Sequence, residues 1–133
     1  MTFKEQLTAA FLRRKQVNAS YSLRSLARSL RVDHATLSHL VNGRRRTTVR
    51  TVRAWGPKLG MSRTEITNTC LLENELAVLQ ALGRAKFRAD SRWLAMTLNI
   101  PIDEVNVALQ SLLRQRLLRM SSSSKWQSGE VDG

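Results

Sequence analysis

The chain is short of several things at once. Only 5% of its 133 residues are aromatic, two are proline and one is cysteine. So few aromatics argue against an aromatic-rich β fold. They fit small helical modules packed with Leu, Val and Ala, which the 42% hydrophobic content can supply. A single cysteine, Cys70, excludes an internal disulfide framework and any cysteine-based zinc cluster. It reads as a small hydrophobe on a helix in a reducing cytoplasm. No apolar run approaches the length of a membrane span, and residues 1–20 carry charges throughout, unlike a signal peptide. Acidic side chains are scarce in the first half. Residues 1–60 hold 13 Lys and Arg against 2 Asp and Glu, a net charge of +11, whereas residues 61–133 hold 9 against 8, a net charge of +1. A field confined to one half points to a polyanionic partner, because basic surfaces that serve solubility usually mix signs.

Helical periodicity is what the chain does have. Phe3, Leu7, Ala10 and Phe11 predict a helix over about Thr2 to Gln16, and Asn18, Ala19 and Ser20 end it. Leu23, Leu26, Ala27 and Leu30 mark a second helix with Ser22 as N-cap. Asp33 is placed to cap a third over about 34–41, in which Leu37, Leu40 and Val41 share one arc. Asn42-Gly43 is a stop signal. Val49, Val52, Trp55 and Leu59 give a fourth helix, kinked or ended early by Gly56-Pro57. The pattern Ser62-x-x-Glu65 is a capping box that opens a fifth.

Two short helices with a tight break between them, and small residues where they cross, predict a helix-turn-helix. Burying Leu37 and its neighbours turns His34, Ala35, Ser38 and His39 outward, onto the face that in such a motif enters the major groove. Ser22 through Gly43 resembles the helix-turn-helix of lambda repressor-like, XRE-type regulators, on the strength of Leu26, Ala27, Leu30, Val32, Leu37, Leu40, Asn42 and Gly43. The likeness extends over about residues 3–72. It implies a five-helix bundle that binds double-stranded DNA sequence-specifically. It places base reading on His34, Ala35 and His39, with Ser38 nearby, and backbone contact on Ser22 and Asn42. Two residues depart from the family pattern. Arg31 stands where a glycine is usual, so a strained or rearranged turn is expected. Ala35 replaces a polar reader and offers only a methyl group, for instance to thymine. Arg44, Arg45 and Arg46 follow directly and are expected on phosphates. Arg24 and Arg50 join them, and Arg13, Arg14, Lys15, Arg28 and Arg53 are secondary candidates.

The remainder reads as a second unit over residues 73–127 with a loose tail over 128–133. Leu72, Leu76, Leu79 and Leu82 predict one helix ending near Gly83, and this stripe is either plain core or a subunit interface. Ser91 to Leu98 is a short helix, and Pro101 opens or just precedes a longer one with Val105, Ala108, Leu109, Leu112 and Leu113 buried. Leu117 to Met120 is strand-like, Ser121 to Ser124 a loop, and Lys125-Trp126-Gln127 a returning strand. This stretch resembles a winged helix. The two units share no obvious sequence repeat. The acidic start Asp103-Glu104 disfavours phosphate, so dimerisation or partner binding is the expected role of the second unit. The cluster of Arg84, Lys86, Arg88 and Arg92 keeps an auxiliary DNA contact as the alternative.

The expected fold is therefore mainly α, a repressor-like bundle followed by a winged-helix-like unit with a short β-hairpin. The expected function is transcriptional regulation by a homodimer on duplex DNA, in a bacterial or phage cytoplasm at the nucleoid. No Gly-rich phosphate loop, metal-ligand cluster or Ser/His/Asp set supports an enzyme. The i, i+5 spacing of His34 and His39 suits no metal, and no cofactor is expected. An antitoxin or adaptor with an autoregulatory helix-turn-helix, and an RNA-binding protein, are the other readings. The last would expose stacking aromatics, and the basic half offers only Phe3, Phe11, Tyr21 and Trp55.

Overall fold

A computed structural model describes residues 1–122 and 125–129. Among them the chain is mainly helical, with seven α-helices, one short 3-10 helix and a two-stranded antiparallel sheet. It divides into two compact units, residues 1–70 and 71–133.

In the first unit, α1 (Phe3–Val17) starts at a capping box. The Thr2 hydroxyl accepts from the Glu5 amide, and the Glu5 carboxylate accepts from the Thr2 amide. α2 (Leu23–Leu30) and α3 (His34–Val41) begin at the expected caps, Ser22 and Asp33. α4 (Val49–Trp55) stops at Gly56, and Pro57–Leu59 continues as the 3-10 turn, so the chain does change helix type at Gly56-Pro57. Gly56 is required for close approach. A Cβ there would meet the Val52 carbonyl oxygen at 2.7 Å and the Ile66 side chain at 2.9 Å. Phe3, Leu7, Leu26, Ala27, Leu30, Leu37, Leu40, Val52 and Cys70 form the core. Arg14 belongs to the frame: its guanidinium donates to the Tyr21 hydroxyl and to Ser29 Oγ, each at 3.0 Å, tying α1 to α2.

α5 (Arg63–Leu82) corrects the expectation of two helices in this region. It is one continuous helix of 20 residues that opens at the Ser62–Glu65 capping box and contributes Cys70 to the first core and Ala77, Val78 and Ala81 to the second. No breaker lies between Arg63 and Leu82, so nothing local ends it. The leucine stripe contributes to the core in part. Leu72, Leu76, Leu79 and Leu82 are only half-buried, and the inward face carries the small residues Ala77, Val78 and Ala81, with Leu79 and Leu82 packed at their edge.

In the second unit, α6 (Ser91–Leu98) and α7 (Ile102–Arg114) pack together over Leu94, Ile100, Val105, Ala108, Leu109 and Leu112. β1 (Leu118–Ser122) pairs with β2 (Lys125–Ser128), with Met120 opposite Trp126. Phe87 holds Trp93 edge-on at 5.6 Å and lies 6.0 Å from Trp126, which anchors the returning strand. The expected loop at Ser121 to Ser124 is shortened, since the first strand runs through Ser122; residues 123 and 124 lie outside the described residues. The expected tail is shortened as well. Ser128 belongs to β2, and the Gly129 amide donates to the Leu117 carbonyl at 2.8 Å, because pairing carries past Gln127. Residues 130–133 lie outside the described residues. One buried carboxylate lies here. Ser111 Oγ on α7 donates to Glu75 on α5 at 2.7 Å and accepts from the Gln115 amide at 2.9 Å.

The two units build the same corner. Arg31 follows α2 in the left-handed region at φ 57°, ψ 47°, and Asn99 follows α6 at φ 55°, ψ 48°. After each, the next amide closes onto an alanine: Val32 on the Ala27 carbonyl at 3.0 Å, and Ile100 on that of Ala95 at 3.1 Å. Leu26 matches Leu94 and Leu37 matches Val105, all fully buried. The absence of a visible repeat in the sequence has a physical reason. The likeness lies in backbone sign and burial, and outside Arg24/Arg92, Leu26/Leu94, Ala27/Ala95 and Leu30/Leu98 the corresponding residues of the two corners differ.

Candidate nucleic-acid interface

α3 is short, and its cap fixes where it starts. The Asp33 carboxylate accepts from the Thr36 amide and the Thr36 hydroxyl, both at 2.9 Å. Those two bonds, the backbone one first, hold the Asp33 carboxyl below the usual carboxylate range, and the nearby His34 and His39 add to the effect. Leu37 and Leu40 face the core. That leaves Ala35 and His39 exposed, with His34 and Ser38 half-exposed beside them. The helix turn brings His34 next to Ser38 and Ala35 next to His39, so the four proposed readers share one outward strip.

The arginine run is tied to the same helix. Asn42 closes on the Ser38 carbonyl at 3.0 Å, and its side-chain amide donates to Ser38 Oγ at 3.2 Å. Gly43 takes a left-handed turn at φ 72°. The Arg44 and Arg45 amides then fold back onto the His39 carbonyl at 2.9 and 3.2 Å. Thr47 is buried beyond the run, and Thr48 caps α4 through the Thr51 amide. Arg44, Arg45 and Arg46 are thus exposed on a loop pinned at both ends, and cations there suit the negative end of the α3 dipole.

The flanking candidates fall less evenly. Ser22 is exposed at the head of α2, but its hydroxyl oxygen accepts from the Ser25 amide as a cap. Arg24 and Arg50 are exposed in the first turns of α2 and α4. Arg14 is engaged inside the bundle as described, and Lys15 lies 5.5 Å from the centre of the Phe11 ring. Arg31, expected only as a strained turn residue, joins the cationic candidates. It is exposed, its carbonyl accepts from Lys58 Nζ at 3.4 Å, and it continues an edge begun by Arg24 and Arg28. The spacing of Arg24, Arg28 and Arg31 at four and three residues was the available signal.

Phe3 is fully buried, and Phe11, Tyr21 and Trp55 are half-buried against the core, so the basic half presents no open stacking platform. Among the described residues no group of three or more His, Cys, Asp and Glu comes together, and no helix is long and apolar enough to cross a membrane. Comparisons with protein-family models, curated proteins and solved structures found no match to this chain.

Proposed function

We propose that residues 1–70 are a lambda repressor-like helix-turn-helix module that binds double-stranded DNA, and that the chain regulates transcription as a homodimer. α3 enters the major groove with His34, Ala35, Ser38 and His39 toward the base edges. Arg44, Arg45 and Arg46 meet phosphates beside the groove, with Arg24, Arg50, Ser22 and Asn42 at the flanks. The second unit is winged-helix-like. The observation that carries this reading is the return of the Arg44 and Arg45 amides to the His39 carbonyl, which fixes the cationic run beside the outward strip. A net charge of +11 over residues 1–60 supports it.

Selection of random duplexes followed by sequencing tests the proposal. A recurrent motif, bound with log K falling against log salt at a slope near −5 for about six neutralised phosphates, is the expected result. No enriched motif, or equal competition by single-stranded RNA, would refute it.

A further inference from the structure

The second corner copies the backbone of the first and reverses its surface. Where α3 presents His34, Ala35, Ser38 and His39, the matching positions on α7 are Ile102, Asp103, Asn106 and Val107, all exposed. From Trp93 to Leu113 the chain has no Lys, Arg or His and carries Asp103 and Glu104, although its total formal charge is +12. A groove-facing helix with that surface would bring acid to phosphate in its first turn and offer its one cation, Arg114, only at the far end.

The exposed face of α7 has a different property. Asp103, Val107, Gln110 and Arg114 follow one another at steps of four, three and four, which puts them in a single stripe along the helix. The stripe is complementary to itself when reversed. Antiparallel to a second copy, Asp103 lies opposite Arg114 and Val107 opposite Gln110, with both contacts repeated by the two-fold axis. Ile102 and Leu113, 40% and 38% exposed, flank the stripe, and Val107 at its centre is 53% exposed. Reversed helices also set the acidic N-terminal turn of one against the basic C-terminal turn of the other, which suits both dipoles.

We propose that α7 is the homodimer contact, pairing antiparallel with α7 of a second copy through Asp103–Arg114 bridges around a Val107-centred apolar strip. This deepens the homodimer part of the proposed function, but its test reads mass rather than DNA binding, so either can fail alone. One helix pair buries less than a standard interface, so a weak association is expected, on the order of micromolar.

Sedimentation equilibrium of the full chain across that concentration range tests it. The wild type is expected to approach a dimer. Asp103→Arg places like charges together and is expected to weaken association roughly tenfold or more, as is Arg114→Asp. The double variant Asp103→Arg with Arg114→Asp restores the complementarity and is expected to recover the wild-type constant. Both positions are exposed, and circular dichroism confirms that the helices persist. A wild type that stays monomeric, a dimer indifferent to Asp103→Arg, or a swap that fails to recover would each overturn the pairing.

Discussion

The amide of Arg44 donates to the carbonyl oxygen of His39 at 2.9 Å, so the cationic run begins folded against the end of α3. A side chain proposed to read bases and one proposed to hold phosphate are thereby fixed one turn of chain apart. Their loss should nevertheless show up differently.

His39→Ala should relax sequence preference. A lost base-edge contact costs about 1–3 kcal/mol on the preferred duplex and little on others. Repeating the duplex selection with the variant checks it, and an unchanged motif removes His39 from the readers.

Arg45→Ala should weaken every duplex about equally and reduce the magnitude of the salt slope by about 1. Titration at several salt concentrations measures both. A slope equal to that of the wild type means Arg45 touches no phosphate.

Arg31 holds a left-handed backbone that costs a side-chain-bearing residue roughly 1–2 kcal/mol. Arg31→Gly should therefore raise stability by about 0.5–1 kcal/mol once the looser unfolded chain is counted. Its hydrogen bond from Lys58 uses the carbonyl and survives the change. Urea denaturation measures the gain. The same variant should weaken DNA binding if the guanidinium lies on the phosphate edge.

Asp33 links α3 to pH. Its folded carboxyl is held low by the Thr36 amide and hydroxyl, so the folded state binds fewer protons than the unfolded one. The stabilisation is full above the unfolded value, about 4, and is lost as pH falls through the depressed folded value. Asp33→Asn keeps an N-cap acceptor without the charge. It should flatten this acid-side loss in a thermal-midpoint series, and an identical series for both proteins would refute the link.

Ser111→Ala should destabilise the second unit by about 1–3 kcal/mol, since the buried Glu75 carboxylate loses its 2.7 Å donor. Chemical denaturation measures this. A neutral result means that the Gln115 amide, at 3.4 Å, takes over.

The local devices were legible in the sequence. Ser22, Asp33 and the Ser62–Glu65 box announce helix starts because a cap and its amide lie within three residues. Asn42-Gly43 announces a stop for the same reason. The outward strip on α3 followed from helical period alone. What escaped was set by partners distant in sequence. Glu75 and Ser111 lie on different helices, and neither residue type signals the other. The leucines of α5 outweigh Ala77 and Ala81 in hydrophobicity, yet the small residues face inward, where packing selects for size. The continuity of α5 was hidden because one helix serves two cores, and its apolar pattern shifts between them. Arg31 pointed to a strained turn, and the structure takes it up as a left-handed residue without breaking the corner.

The paired corners carry a consequence for engineering. Since α3 and α7 bury different residues at corresponding positions, Leu37 and Leu40 in one and Val105 and Ala108 in the other, while their outer ones are unrelated, the outer set is a removable veneer. Writing the α3 veneer onto α7, or the reverse, would transplant chemistry without rebuilding a foundation, so one molecule supplies both donor and recipient for its own grafts.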